Sequence, residues 1–280
     1  MPVFLTYDGS VNTDWIAHYA LRMAAHTAER QLTVVYIEDA EVPAPRLLAG
    51  LKAIANQADD LGVAVINEIL PMRNGILGGL TDYLPAGPES IVVCGTRVRK
   101  GRRGFLRGTI SEQLMRLHRY QVLALRVVQP GLLGQPHRVL APVAGKPEGF
   151  LHSLPILQLL APEITRLHLL RVVQRRRNIL HRLTTAKAGQ LRQEALDQLR
   201  DIETRIRARI DMPGDAIELL ARIAPDWPDE AILQANYLRS EMIFVEASRR
   251  GLARNIMPAR PIETLLANAN CDVAVFRGID

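Results

Sequence analysis

The chain has 280 residues, of which 48% are apolar and 23% charged, with a formal net charge of +6 and a pI near 9.7. That composition excludes a disordered chain and leaves room for two ordinary domains; the apolar runs are too short to span a bilayer, and the two cysteines stand at no metal-ligand spacing with histidine. Much of the excess charge falls at Arg97 to Arg107 and at Arg175 to Arg177, without the alternation of aromatics that a base-stacking platform needs, which argues against a nucleic-acid partner.

Val3–Tyr7 is a short apolar run closed by Asp8-Gly9-Ser10, a strand followed by a turn. No charged segment precedes it, so no signal peptide is expected. Ile16, Tyr19, Ala20, Met23 and Ala24 recur at helical spacing. Leu32–Ile37 reads as the next strand and Arg46–Leu61 as the next helix. Val63–Leu70 is a strand, Ile76–Leu84 a short helix and Ser90–Cys94 a strand; Thr109–His118 is helical and Gln121–Val127 closes the series. Strands that alternate with helices imply βαβ crossovers and a parallel sheet covered on both faces. Cys94 and Cys271 both lie in strand-like apolar runs, as buried free thiols of a reducing cytoplasm do.

The pattern then restarts. The Pro/Gly-rich stretch from Pro130 to Pro136 reads as a linker between domains of residues 1–129 and 137–280. Arg138–Pro142 lines up with Val3–Tyr7, Leu167–Val172 with Leu32–Ile37, Met242–Glu246 with the strand ending at Cys94, and Asp272–Arg277 with Gln121–Arg126. The added length in the second half falls at about 175–210, which reads as one long helix. Its apolar stripe is Leu180, Leu183, Leu191, Ala195, Leu199, Ile202 and Ile206. Two copies of so long a unit make a duplication and not a solenoid.

Cys94-Gly95-Thr96-Arg97 followed by Gly108-Thr109-Ile110-Ser111-Glu112 joins a strand end to a helix start. A glycine there lets backbone approach a ligand, and the first amides of a helix favour an anion. Together with Leu5-Thr6-Tyr7-Asp8-Gly9-Ser10 and Val122-Leu123-Ala124-Leu125-Arg126, these segments make the chain resemble the universal stress protein family in its tandem form, over essentially its whole length. The resemblance implies an α/β fold of two doubly wound, Rossmann-like domains of the adenine nucleotide alpha hydrolase type. Each would be a five-stranded parallel sheet in the order 3-2-1-4-5, with ligands at the switch point beside strands one and four. It further implies that Tyr7, Asp8, Ile37, Cys94, Gly95, Arg97, Val98, Gly108, Thr109, Ile110 and Ser111 line an adenine-nucleotide pocket, taking ATP, ADP or AMP, with or without Mg, in the first domain only.

The residues themselves leave other readings open. Asp8 reads equally as a helix cap or turn residue, and Thr109 or Ser111 as the N-cap of the last helix. Cys94 and Ile37 suit a core as well as a pocket. Val98 stands where the family's motif has glycine; a β-branched residue resists positive φ and puts a side chain where backbone would meet phosphate. Arg97, Arg99, Lys100, Arg102, Arg103 and Arg107 offer compensating charge. In the second repeat Asp8 aligns with Val143, Gly95 with Ala247, and Gly108 and Thr109 with Ala259 and Arg260 before Pro261. That half reads as a degenerate copy, with Glu246 set to repel phosphate.

No catalytic constellation is legible. His18, His26, His118 and His152 stand beside no nucleophile with an orienting acid. Asp226 and Asp229 around Trp227-Pro228 read as the cap of a helix over Glu230–Arg239, and no Gly-x4-Gly-Lys-[Ser/Thr] is present. The expectation is therefore a cytoplasmic universal stress protein that is not an enzyme, any ATP hydrolysis being slow and incidental, and that binds adenine nucleotide and acts in stress regulation through a protein partner. The alternative is a nucleotide-free interaction scaffold. The last strands, Val122–Val127 and Val273–Phe276, are expected to pair as an intramolecular pseudo-dimer. The long helix offers a surface for a homodimer, since its stripe needs cover.

Overall fold

A computed structural model describes residues 1–39, 41–96, 108–145, 147–247 and 261–279. Two compact units divide at Gln135–Pro136, one being Met1–Gln135 with Phe276–Asp280 and the other Pro136–Val275.

In the first unit β1 (Val3–Tyr7), β2 (Gln31–Glu38), β3 (Ala64–Pro71), β4 (Gly87–Gly95) and β5 (Tyr120–Arg126) stand in the order β3-β2-β1-β4-β5. The β1–β2, β1–β4, β2–β3 and β4–β5 pairs are all parallel. Val3 lies opposite both Leu32 and Ile91, and Tyr7 opposite Tyr36. The central strands are buried on both faces, as a parallel sheet with helices above and below requires. The connecting helices are α1 (Val11–Ala25), α2 (Ala44–Leu61), α3 (Gly75–Tyr83) and α4 (Ile110–Leu117). Helix α2 starts before Arg46 because Pro45 in the first turn costs no hydrogen bond. It stops at Gly62, whose φ of 62° is the left-handed cap.

The second unit repeats this plan with β6 (Arg138–Pro142), β7 (Arg166–Gln174), β8 (Ile217–Ala224), β9 (Met242–Glu246) and β10 (Asp272–Arg277), ordered β10-β9-β6-β7-β8. Its helices are α5 (Pro147–Leu151), α6 (Leu154–Leu160), α7 (Arg177–Leu180), α8 (Thr185–Arg207), α9 (Trp227–Tyr237) and α10 (Pro261–Asn268). Both units thus have the doubly wound α/β architecture expected from the alternation of strands and helices.

Three expectations need correction here. First, 175–210 is not one helix. Arg175 N still donates to Ala224 O at 3.0 Å, continuing the strand pairing, and after the short α7 the helix restarts at Thr184, whose side chain accepts from Lys187 N at 3.3 Å. The stripe Leu191, Ala195, Leu199, Ile202 and Ile206 is buried, and α8 packs on β7 and β8 of its own unit. The stripe itself therefore needs no second copy of the chain.

Second, the alignment of the repeats shifts by one residue. Val139 lies opposite Leu167 and Met242, as Val3 lies opposite Leu32 and Ile91. The turn glycines Gly9 and Gly145 share positive φ, 68° and 83°. Asp8 therefore corresponds to Ala144 rather than Val143, and Gly95 to Glu246 rather than Ala247. An apolar run buried on both faces carries no register mark of its own, so a one-residue slip leaves the sequence match unchanged. Third, α9 starts at Trp227 and not at Glu230. Asp226 holds its N-cap position without a side-chain cap bond, since Pro228 fits the first turn.

Candidate functional site

At the carboxyl ends of β1, β2 and β4 the first unit opens a cleft of about 470 Å³. Tyr7, Asp8, Ile37, Cys94, Gly95, Gly108, Thr109, Ile110 and Ser111 all line it. Arg97 and Val98, with the rest of the basic segment to Arg107, lie outside the described residues.

Asp8 holds the turn after β1. Its Oδ1 accepts from Ser10 N at 3.0 Å and from Thr13 Oγ1 at 2.7 Å. Ser10, not Asp8, is the N-cap of α1, accepting from Thr13 N. Gly9 is required twice over. Its φ is 68°, and a Cβ there would come within 2.8 Å of Val42 Cγ1.

Tyr7 is buried, and its hydroxyl donates to Asp14 Oδ1 at 2.5 Å; Asp14 in turn pairs with Arg46. Burial first, then the Asp14 carboxylate, raises the Tyr7 phenol above its ordinary range. The phenol joins β1, α1 and α2, so Tyr7 reaches the cleft wall without presenting a reactive group.

The apolar wall combines Val35 and Ile37 of β2 with Val42 and with Ile76 and Leu80 of α3. Gly79 makes room for it, since a Cβ there would stand 2.9 Å from Ile37 Cδ1. Asp39 and Glu41 add carboxylates at the same end. Asp39 Oδ1 accepts from Glu41 N at 3.0 Å and from the Tyr36 hydroxyl at 3.4 Å.

Opposite lies the start of α4. Thr109 is its N-cap and accepts from Glu112 N at 3.1 Å. Glu112 reaches back to Gly108 N at 2.6 Å, a capping box displaced by one residue, and pairs with Arg116 at 2.9 Å. Ser111 Oγ donates to Gly95 O at 3.1 Å and lies 2.8 Å from Thr109 Oγ1, so the Thr109 hydroxyl donates to Ser111. Gly95 packs against α1, where a Cβ would meet Ile16 Cδ1 at 3.0 Å and Asn12 Nδ2 at 3.1 Å. Burial pushes the Cys94 thiol up to about 12, with Ser111 opposing, which makes Cys94 wall and not nucleophile.

The sequence alone did not single out Val35, Val42, Ile76, Leu80, Asn12, Thr13, Asp39, Glu41 or Gln113, all of which line the cleft. The usable signal was the pair of acids just beyond β2; the apolar members are indistinguishable from core by spacing. Among the described residues no group of three or more His, Cys, Asp or Glu is placed to hold a metal, and no helix is long and apolar enough to cross a membrane.

The second unit keeps little of this set. Ala144 replaces Asp8 and Glu246 replaces Gly95, while Ala259 and Arg260 lie outside the described residues. Pro261 is the first residue of α10.

No family model matches the chain, and no curated protein is similar to it in sequence. Solved structures share its fold. A universal stress protein from Archaeoglobus fulgidus DSM 4304 matches with a TM-score of 0.58 at 15% identity, covering 100% of this chain and 97% of that one. A functionally unknown protein from Pseudomonas aeruginosa PAO1 gives 0.54 at 13% identity over 100% and 93%. The cytoplasmic domain of a prokaryotic cation chloride cotransporter gives 0.57 at 12% identity over 99% and 95%. The fold is thus that of a universal stress protein over the full chain.

Proposed function

We propose that the protein is a tandem universal stress protein, cytoplasmic and non-enzymatic, whose first unit binds an adenine nucleotide (ATP, ADP or AMP) and regulates a protein partner. The observation that carries this reading is the convergence of Asp8, Ile37, Gly95, Gly108, Thr109 and Ser111, from four separate chain segments, on one cleft beside β1 and β4. The cleft volume suits a nucleotide-sized ligand. The slot between Val35, Ile37, Val42, Ile76 and Leu80 fits a flat base, and the hydroxyls at the start of α4 fit the sugar–phosphate end.

A nucleotide-free scaffold is the second reading. It is favoured by the commitment of Asp8 Oδ1 to Ser10 and Thr13, and of the Thr109 and Ser111 hydroxyls to each other and to Gly95.

Nucleotide released by heat-denaturing the purified protein, together with melting curves in ATP, ADP and AMP, separates the two. A ligand at 100 times its Kd stabilises by about 2.7 kcal/mol, and Asp8→Ala should shrink that shift. No release and no shift with any of the three nucleotides leaves the scaffold.

A further inference from the structure

The second unit has a cavity of its own, about 420 Å³, at the carboxyl ends of β6 and β7 under α8. Its charge is the reverse of the first cleft's. With Leu167 in the place of Leu32, Tyr36 corresponds to Arg171, Asp39 to Gln174 and Glu41 to Arg176, while Asp8 has become Ala144. The carboxylates of Asp8, Asp39 and Glu41 thus have no counterpart here and Arg171 and Arg176 are added, while Glu246 stands at the end of the neighbouring β9.

Arg171 lines the cavity and is half-buried. Its Nη1 donates to Val143 O at 2.8 Å and to Gly145 O at 2.6 Å. Those bonds fix the side chain and leave Nε and Nη2 with no partner among the described residues. No carboxylate pairs with it there, and burial alone lowers the proton affinity of its guanidinium. Arg175 lines the same cavity, and among the described residues its side chain donates to Gln174 O alone, at 2.8 Å. The one carboxylate in the lining, Glu194, is engaged by Gln190 at 2.9 Å. Leu191, Ala195 and Trp227 supply apolar walls. A half-buried cation held by two backbone carbonyls, without a counterion among the described residues, favours an anionic ligand in a cavity of this size.

We infer that this cavity binds a small ligand bearing an oxyanion, a carboxylate or a phosphate. The Nε–Nη2 edge of Arg171 takes it in a planar fork, Arg175 supports the charge, and Trp227 covers the ligand body. The site is independent of any nucleotide in the first unit.

The chain has two tryptophans, so Trp15→Phe leaves Trp227 as a local reporter of this cavity. Its emission is titrated with succinate and, separately, with inorganic phosphate, at constant ionic strength against chloride. The expected result is a saturable change with at least one of the two, and the tighter one identifies the oxyanion. Arg171→Gln should weaken it by about tenfold or more, the loss of a charge-assisted hydrogen bond.

Because Arg171 also holds the turn after β6, Arg171→Lys (which keeps the charge but loses the fork) and Arg175→Gln are measured alongside. Arg175→Gln should weaken binding while melting as the parent does, and Arg171→Lys should weaken it while keeping a cooperative melting transition. Asp8→Ala should leave the titration unchanged. A response no different from chloride, a saturation curve indifferent to all three arginine substitutions, or loss of binding in Asp8→Ala overturns the assignment.

Discussion

The carboxylate of Glu246 fills the space that a side chain on Gly149 would occupy: a Cβ there would stand 2.5 Å from Oε2. Gly149 comes four residues after the turn glycine Gly145, as Thr13 comes four after Gly9. In the first unit the strand end is Gly95, where a Cβ would meet Ile16 Cδ1 at 3.0 Å and Asn12 Nδ2 at 3.1 Å of the helix, with Thr13 Cγ2 at 3.7 Å. In the second the strand end carries the bulk and the helix is bare. The bulk at this helix–strand contact thus lies on the helix in the first unit and on the strand end in the second, where Glu246 leaves room only for glycine at 149. Gly149→Thr should therefore cost about 1–3 kcal/mol through overpacking. Glu246→Gly in the same chain should recover part of it, with a coupling of about 1 kcal/mol in a double-mutant cycle read by urea unfolding.

Gly50 and Tyr7 make a stricter pair. A Cβ on Gly50 would overlap the Tyr7 hydroxyl oxygen, and that hydroxyl is held by Asp14. Alanine normally favours a helix interior by about 1 kcal/mol over glycine; here Gly50→Ala should destabilise by about 1–3 kcal/mol instead. Tyr7→Phe in the same chain removes the clashing atom and should restore much of the loss, as a rise in Tm relative to Gly50→Ala alone.

Thr109 carries the start of α4 by accepting from Glu112 N. Thr109→Ala should cost about 1 kcal/mol, while Thr109→Ser, which keeps the oxygen, should be close to neutral. Equal losses in the two variants would show that the methyl group and not the cap matters.

Two histidines set a pH dependence. Burial lowers the His18 imidazole, with Arg22 adding to it, and burial lowers His168 against the opposing Glu218 carboxylate. A base whose folded pKa lies below the unfolded value binds more protons when unfolded, so stability rises with pH. The gain is complete above the unfolded value near 6.5 and is lost as pH falls below it. His168 Nδ1 is buried without a partner among the described residues. The urea midpoint should rise from pH 5 to 7.5, and His168→Asn should flatten that slope.

Both cysteines are buried, and burial pushes Cys94 up to about 12. At pH 8 the native protein should react with a thiol reagent only slowly, and both thiols should become reactive at the rate of unfolding. Fast labelling of Cys94 in the folded chain would place it outside the wall described above.

Much of the first cleft was legible because its residues fall at strand ends and helix starts, which local periodicity marks. Asp8, Gly95, Gly108, Thr109 and Ser111 belong to that class. The role of each was not legible. Asp8 reads as ligand or cap from sequence, and the distances to Ser10 N and Thr13 Oγ1 show that it holds the turn. Val42, Ile76 and Leu80 look like core in any window, since apolar side chains that face a cavity and a core share one spacing.

By itself the sequence determined the alternation of strands and helices, the duplication and the positions of the turn glycines. These depend on short-range hydrophobic periodicity and on φ preferences that each residue carries with it. Only the tertiary structure decided which residues of distant strands stand opposite one another. It moved the counterpart of Asp8 to Ala144 and that of Gly95 to Glu246, started α8 at Thr185, and set Arg171 in a cavity with no counterion among the described residues. The physical reason is that strands buried on both faces carry no local register mark, and contacts remote in sequence fix what local pattern leaves free.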